Sequence, residues 1–128
     1  LRLGINSGNL IAGVVGEKKF AYDVWGDTVN TASRMESSGT VGKVNISRST
    51  YDQVRFLFMC ESRGRIKAKN KGDIEMFFLH SIRLRYSING EGQIPNALFN
   101  ELYERIDKGA RLVPKDQFRP PRKLTEAK

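Results

Sequence analysis

Asn30 and Arg34 stand four residues apart, the spacing that puts two side chains on one face of a helix. One offers an amide and the other a planar guanidinium fork. Asp27 is well placed to cap that helix at its start and Gly39 to stop it. The backbone donors of a helix start already favour anions. An amide and a guanidinium on that face add further donors near the same helix start. Val29 and Ala32 can pack on the opposite side. Read alone, the pair also fits an ordinary amphipathic helix with a solvated Asn and Arg. A second feature lies in residues 63–71, where Arg63, Arg65, Lys67, Lys69 and Lys71 occupy every second position. On a strand all five would share one face, and that face needs an anion or water to neutralise it. No metal-ligand cluster, catalytic triad or Walker loop occurs in the sequence. His80, the single histidine, follows an apolar run and reads as structural.

The string from Tyr22 to Gly39, followed by Arg63-Gly64 and by Lys69-Asn70-Lys71-Gly72, resembles the signature of the class III nucleotidyl cyclases, the adenylate and guanylate cyclases. The resemblance covers roughly residues 1–80. It implies that Asn30 holds the ribose and Arg34 the reacting phosphate. It implies that Lys69 reaches the terminal phosphates, although Asn70 stands where the family usually has glycine. Asp23 falls where the family sets base choice, and a carboxylate there favours ATP over GTP; read locally, a turn cap is the alternative. The resemblance also implies two divalent cations, Mg2+ or Mn2+, held by two aspartates upstream of this segment. It implies a homodimer in which each protomer completes the other's site.

The elements that must position these residues follow from periodicity. Residues 1–7 read as a strand, Leu10–Gly16 as a second buried strand after the Ser7-Gly8-Asn9 turn, and Phe20–Trp25 as a third extended piece reached through the charged turn 17–19. A helix spans 27–38. Residues 43–47 alternate as a short strand. Ser49 or Thr50 can cap a helix carrying Tyr51, Val54, Leu57 and Phe58. Strand character returns over 58–71 and over the strongly apolar 73–82. Residues 83–95 look irregular. Pro95 and Asn96 open a last helix with Leu98, Phe99, Leu102, Tyr103 and Ile106 as its apolar stripe, ended by Gly109. Residues 110–128 are polar, with three prolines, and read as an extended tail. The expected fold class is α+β: with the resemblance, a ferredoxin-like antiparallel sheet with helices on one face over residues 1–82, then a helical extension and basic tail over 83–128.

The chain has 128 residues, 39% hydrophobic and 28% charged, enough for one small domain with a core. No apolar run approaches the ~20 residues of a membrane span, and no secretory signal pattern opens the chain. Cys60 is the single cysteine, which excludes an internal disulfide framework, suits a reducing cytosol and reads as a packed strand residue. A strand beginning at Leu1 with no lead-in points to part of a longer protein. The net charge of +8 calls for anionic company. It divides evenly, with 12 Lys and Arg against 8 Asp and Glu in residues 1–82 and 10 against 6 in residues 83–128. No aromatic-interleaved basic motif supports a nucleic-acid binder. The expected function is that of an adenylate cyclase making cyclic AMP from ATP in the cytosol, this chain supplying the transition-state and base-reading half-site and being inactive alone. A guanylate cyclase, or a non-catalytic nucleotide-binding or dimerisation module, are the alternatives.

Overall fold

The computed structural model describes residues 1–15 and 21–108. Apolar-rich stretches, some alternating and some continuous, give six strands among the described residues: β1 Leu3–Ile5, β2 Ile11–Val15, β3 Ala21–Trp25, β4 Val44–Ser47, β5 Phe58–Ala68 and β6 Gly72–Ile82. Among the described residues there are three α-helices: α1 Asp27–Ser37 and α2 Arg48–Val54 between strands, and α3 Ala97–Asp107 after the last of them. The expected α+β class holds. Four strands form one sheet in the order β1-β4-β6-β5, and β2 and β3 form a separate antiparallel pair. The sheet is mixed, because β1 runs parallel to β4 while β4 runs antiparallel to β6. The parallel pair follows from connectivity: the chain crosses between β1 and β4 through β2, β3 and α1, which is the length of crossover a parallel pair requires. β5 and β6 are neighbours joined by three residues, a connection only an antiparallel hairpin permits.

The chain divides into two units. In the first, residues 1–53 and 60–80, Met35 of α1 meets Ala68 and Met76, with Ile66 and Ile74 against them. Met35, Ile46 and Met76 are fully buried. Alternation puts Phe77 on the other face of β6 from Met76, and there its ring stacks on Tyr51 of α2 at 3.9 Å. Both faces of β6 are therefore covered, which explains why this strand reads as a nearly continuous apolar run.

The second unit comprises residues 54–59 and 81–128. Leu57, Ile82, Tyr86 and Leu102 form its core, with Phe58, Phe99 and Ile106 packed against them. Asn96 is the N-cap of α3, its side chain accepting from the Phe99 amide at 3.0 Å, as the sequence led one to expect. The apolar stripe divides: Leu102 is buried, whereas Leu98 and Tyr103 are exposed. Residues 84–90 carry two short 3-10 turns. The charged turn 17–19, the Gly109 stop and the tail from 110 lie outside the described residues.

Candidate functional site

The helix that carries Asn30 and Arg34 forms as expected, but its ends are built differently. Gly26, at φ 123°, is the N-cap, and no side chain caps it. Asp27 is instead the first helical residue, where its charge favours the positive helix end. Its carboxylate is mostly exposed and pairs with Lys71. At the other end Ser38 is the C-cap. Gly39 does not take the left-handed conformation; a Cβ there would sit 3.2 Å from the carbonyl oxygens of both Met35 and Glu36, a tight approach. α2 also starts earlier than Ser49 or Thr50 would set it, with the Ser47 hydroxyl accepting from the Thr50 amide at 3.4 Å. It ends at Val54, leaving Leu57 and Phe58 outside it.

Along α1, Asn30, Ser33, Arg34 and Ser37 recur at helical spacing as one polar stripe, opposite Val29, Ala32 and the buried Met35. Asn30 is exposed and Arg34 half-buried. Arg34 donates to the Ser33 hydroxyl at 3.1 Å. Ser33 was not singled out by sequence reasoning; its signal was the i,i+3 step from Asn30. Of Asp23 the backbone position is described: it lies at the centre of β3, opposite Gly13, four residues before α1. Lys69 opens the turn between β5 and β6 and is exposed. The Lys71–Asp27 pair ties that turn to the first turn of α1. Asn70 takes φ 61° and Gly72 φ 76°. Asn70 thus adopts the left-handed conformation for which glycine is the usual residue, and asparagine is among the side chains that best tolerate it.

The five alternating cations do not share one face. Arg63, Ile66 and Ala68 all turn inward, although 63 and 66 have opposite parity. The parity changes past Gly64, whose φ of 75° is the left-handed glycine conformation of a strand bulge. Arg63 Nη1 donates to the Ser38 carbonyl at 3.0 Å and to Asn45 Oδ1 at 2.9 Å. Its guanidinium carbon lies 4.3 Å from the centroid of the Phe78 ring. Arg65 and Lys67 remain exposed, and Arg65 donates to the Asp73 carbonyl at 3.3 Å. His80 is bonded to Glu61 at 2.8 Å, a surface contact distant in sequence from the motif. Cys60 is half-buried in β5, in keeping with a packed strand residue.

Polar contacts also fix the start of α1. Asn6 Nδ2 donates to the Thr28 carbonyl at 3.0 Å, and its Oδ1 accepts from Ser47 at 2.5 Å and Ser49 at 3.0 Å. A Cβ on Gly8 would lie 2.8 Å from Thr28 Oγ1, so the loop after β1 fits closely against the helix start. Among the described residues no three His, Cys, Asp or Glu side chains converge on a point that could hold a metal ion, and no helix is long and apolar enough to cross a membrane.

This arrangement finds counterparts in known proteins. Residues 1–81 match the model of the adenylate and guanylate cyclase catalytic domain. The chain is 52% identical over 80 residues to soluble guanylate cyclase 89Da of Drosophila melanogaster, covering 62% of this chain and 12% of that protein. It is 44% identical over 79 residues to an adenylate cyclase of Mycobacterium tuberculosis, covering 62% of this chain and 18% of that protein. The chain thus spans under a fifth of either relative's length. Among solved structures, the guanylate cyclase domain of RhGC from Catenaria anguillulae in complex with GTP superposes with a TM-score of 0.54 at 37% identity, over 56% of this chain and 39% of that one. Relatives of both substrate kinds occur, and the order of strands, helix and hairpin is the one the match spans: over residues 1–81 the chain belongs to the adenylate and guanylate cyclase catalytic domain family.

Proposed function

We propose that this chain supplies one half of a nucleotide-cyclising site, the half that holds base, ribose and phosphates, and that the protein carrying it converts ATP to 3′,5′-cyclic AMP and pyrophosphate. What chiefly supports the reading is the polar stripe of α1, which presents Asn30 and Arg34 together, with a lysine-bearing turn tied to the first turn of the same helix. The ribose 3′-oxygen attacks the α-phosphorus, its proton passes to solvent, and the bond to pyrophosphate breaks. Negative charge grows on the phosphoryl oxygens as this happens. A guanidinium held in place before the reaction, that of Arg34, stabilises it without reorganising. Asn30 fixes the sugar so that the attacking oxygen stays in line. Lys69 binds the terminal phosphates, and Asp23 accepts from the exocyclic amine of adenine. Two divalent cations belong to the family's chemistry, and the described residues do not form a site for them. The missing half-site belongs to a second protomer in this reading, so the active species is a homodimer working in the cytosol. Residues 83–128 form an extension to the catalytic segment.

A guanylate cyclase is the second reading, favoured by the 52% identical relative. A non-catalytic nucleotide-binding module is the third, favoured by the absence of an acidic cluster among the described residues. Incubating the full-length protein with ATP or GTP and Mn2+, followed by chromatography of the products, separates them. The proposal expects cyclic AMP at a higher kcat/KM than cyclic GMP. A reversed ratio selects the second reading, and nucleotide binding with no cyclic product selects the third.

A further inference from the structure

α1 ends in the core of the first unit, and its last carbonyls need donors. Asn45, at the centre of the short strand β4, is fully buried. Its Nδ2 donates to the Met35 carbonyl at 2.9 Å, and its Oδ1 accepts from Arg63 at 2.9 Å. The same Arg63 nitrogen donates to the Ser38 carbonyl at 3.0 Å. Two otherwise orphaned carbonyls of the last turn are thereby held by one buried amide and one guanidinium, and Met35 adjoins Arg34 in the chain. A buried polar network with each member satisfied admits one arrangement and resists others. Arg63 turns inward to reach it, away from the exposed Arg65 and Lys67, and the left-handed Gly64 follows it directly. The hairpin that supplies Arg63 also supplies Lys71, which pairs with Asp27 at the opposite end of α1. One hairpin therefore grips the helix at both ends, with Asn30 and Arg34 between the grips.

We propose that Arg63, acting through Asn45 and the Ser38 carbonyl, is a positioning residue that sets the placement of Arg34 and Asn30 for the cyclisation. The proposal rests on the cyclase reading, and its test separates the two. Arg63→Met keeps an unbranched apolar stem and removes both donors, together with the guanidinium that lies over the Phe78 ring. Arg63→Lys keeps a cation that can still donate. In the full-length protein Arg63→Met should lower kcat by about 10- to 100-fold, the scale of a displacement near 1 Å at a reacting centre, while KM moves by less than about three-fold. Arg63→Lys should recover much of the loss. Hydrogen exchange at the Ser38 and Gly39 amides, which bond to Arg34 and Glu36 carbonyls, should quicken in Arg63→Met. If Arg63→Met fails to fold, Gly64→Ala takes its place: it keeps the arginine but strains the bulge that aims it, and the same pattern is expected. An unchanged kcat per folded molecule in an active protein overturns the positioning role and leaves the cyclase reading standing. A lost kcat with unchanged exchange at Ser38 and Gly39 overturns it too, since Arg63 would then act on substrate directly. A wild-type protein that forms no cyclic nucleotide overturns both.

Discussion

Replacing Gly4 by alanine should push α1 off the sheet. A Cβ on Gly4 would lie 2.1 Å from the Glu36 nitrogen, 2.5 Å from the Met35 carbonyl carbon and 2.6 Å from Glu36 Cα. All three are backbone atoms of the helix, so no side chain can rotate away. Ordinary contact begins near 3.4 Å, so strand and helix must part by roughly 1.3 Å or the strand must buckle, and close-packed interiors resist both. Overpacking of this kind costs about 1–3 kcal/mol. Alanine gives back about 0.4–1 kcal/mol by narrowing the unfolded ensemble. The clash wins, because the colliding atoms belong to two main chains and the parting must also stretch the Asn45 and Arg63 contacts at the same end of the helix. The net expectation is a loss of about 1–2 kcal/mol. Urea unfolding of wild type and Gly4→Ala, followed by far-UV circular dichroism, reads it as a lower midpoint at constant m-value. In the full-length protein kcat should fall further than stability alone would dictate, since Arg34 moves with the helix. A midpoint shift worth less than about 0.5 kcal/mol, the range of neutral surface changes, would refute the close approach of α1 to β1.

Asp23→Cys should lower the ATP over GTP ratio of kcat/KM by removing an acceptor for the adenine amine, and an unchanged ratio would take Asp23 out of base recognition. Lys69→Ala should raise KM for the triphosphate more than it lowers kcat, because a point charge on the terminal phosphates binds ground and transition states alike; steady-state kinetics decide it. The 128-residue chain alone should form no cyclic nucleotide with ATP and Mn2+, read by chromatography. Burial holds the Tyr86 hydroxyl above its ordinary pKa, with Arg85 and Arg83 opposing the shift. The unfolded chain therefore ionises first as pH rises past about 10, so Tyr86 makes the second unit lose stability over that alkaline window and has no such effect below it. Tyr86→Phe should remove this loss when unfolding is followed between pH 8 and 11.

Local signals carried most of the elements. The helical spacing of Val29 and Ala32, and the strongly apolar run of residues 73–82, are properties of the chain itself, and α1 and β6 appear where they place them. Asn30 and Arg34 share a face for the same reason. What the sequence could not show depends on partners distant along the chain. Asp27 looked like a cap because its residue type prefers that position, but Lys71 holds its carboxylate from 44 residues away. Arg63 looked like one cation of a solvated stripe, and only the bulge at Gly64 and the buried Asn45 turn it into a strut for α1. A polar Asn45 between Val44 and Ile46 was the one local hint, since a buried amide needs partners. Gly39 follows α1 but does not take the left-handed conformation that its residue type suggests, and Ser38 is the C-cap.

The central claim is that Arg34 acts on charge that develops during cyclisation. Its most direct test is the steady-state kinetics of Arg34→Ala in the full-length protein, with cyclic AMP quantified. Loss of a charge-stabilising donor should lower kcat by about 10²–10³, with KM for ATP changing far less because Lys69 and the base contacts still bind the ground state. Arg34→Lys should restore little, since an ammonium lacks the planar fork. A kcat within about two-fold of wild type, with the loss appearing in KM instead, would contradict the account.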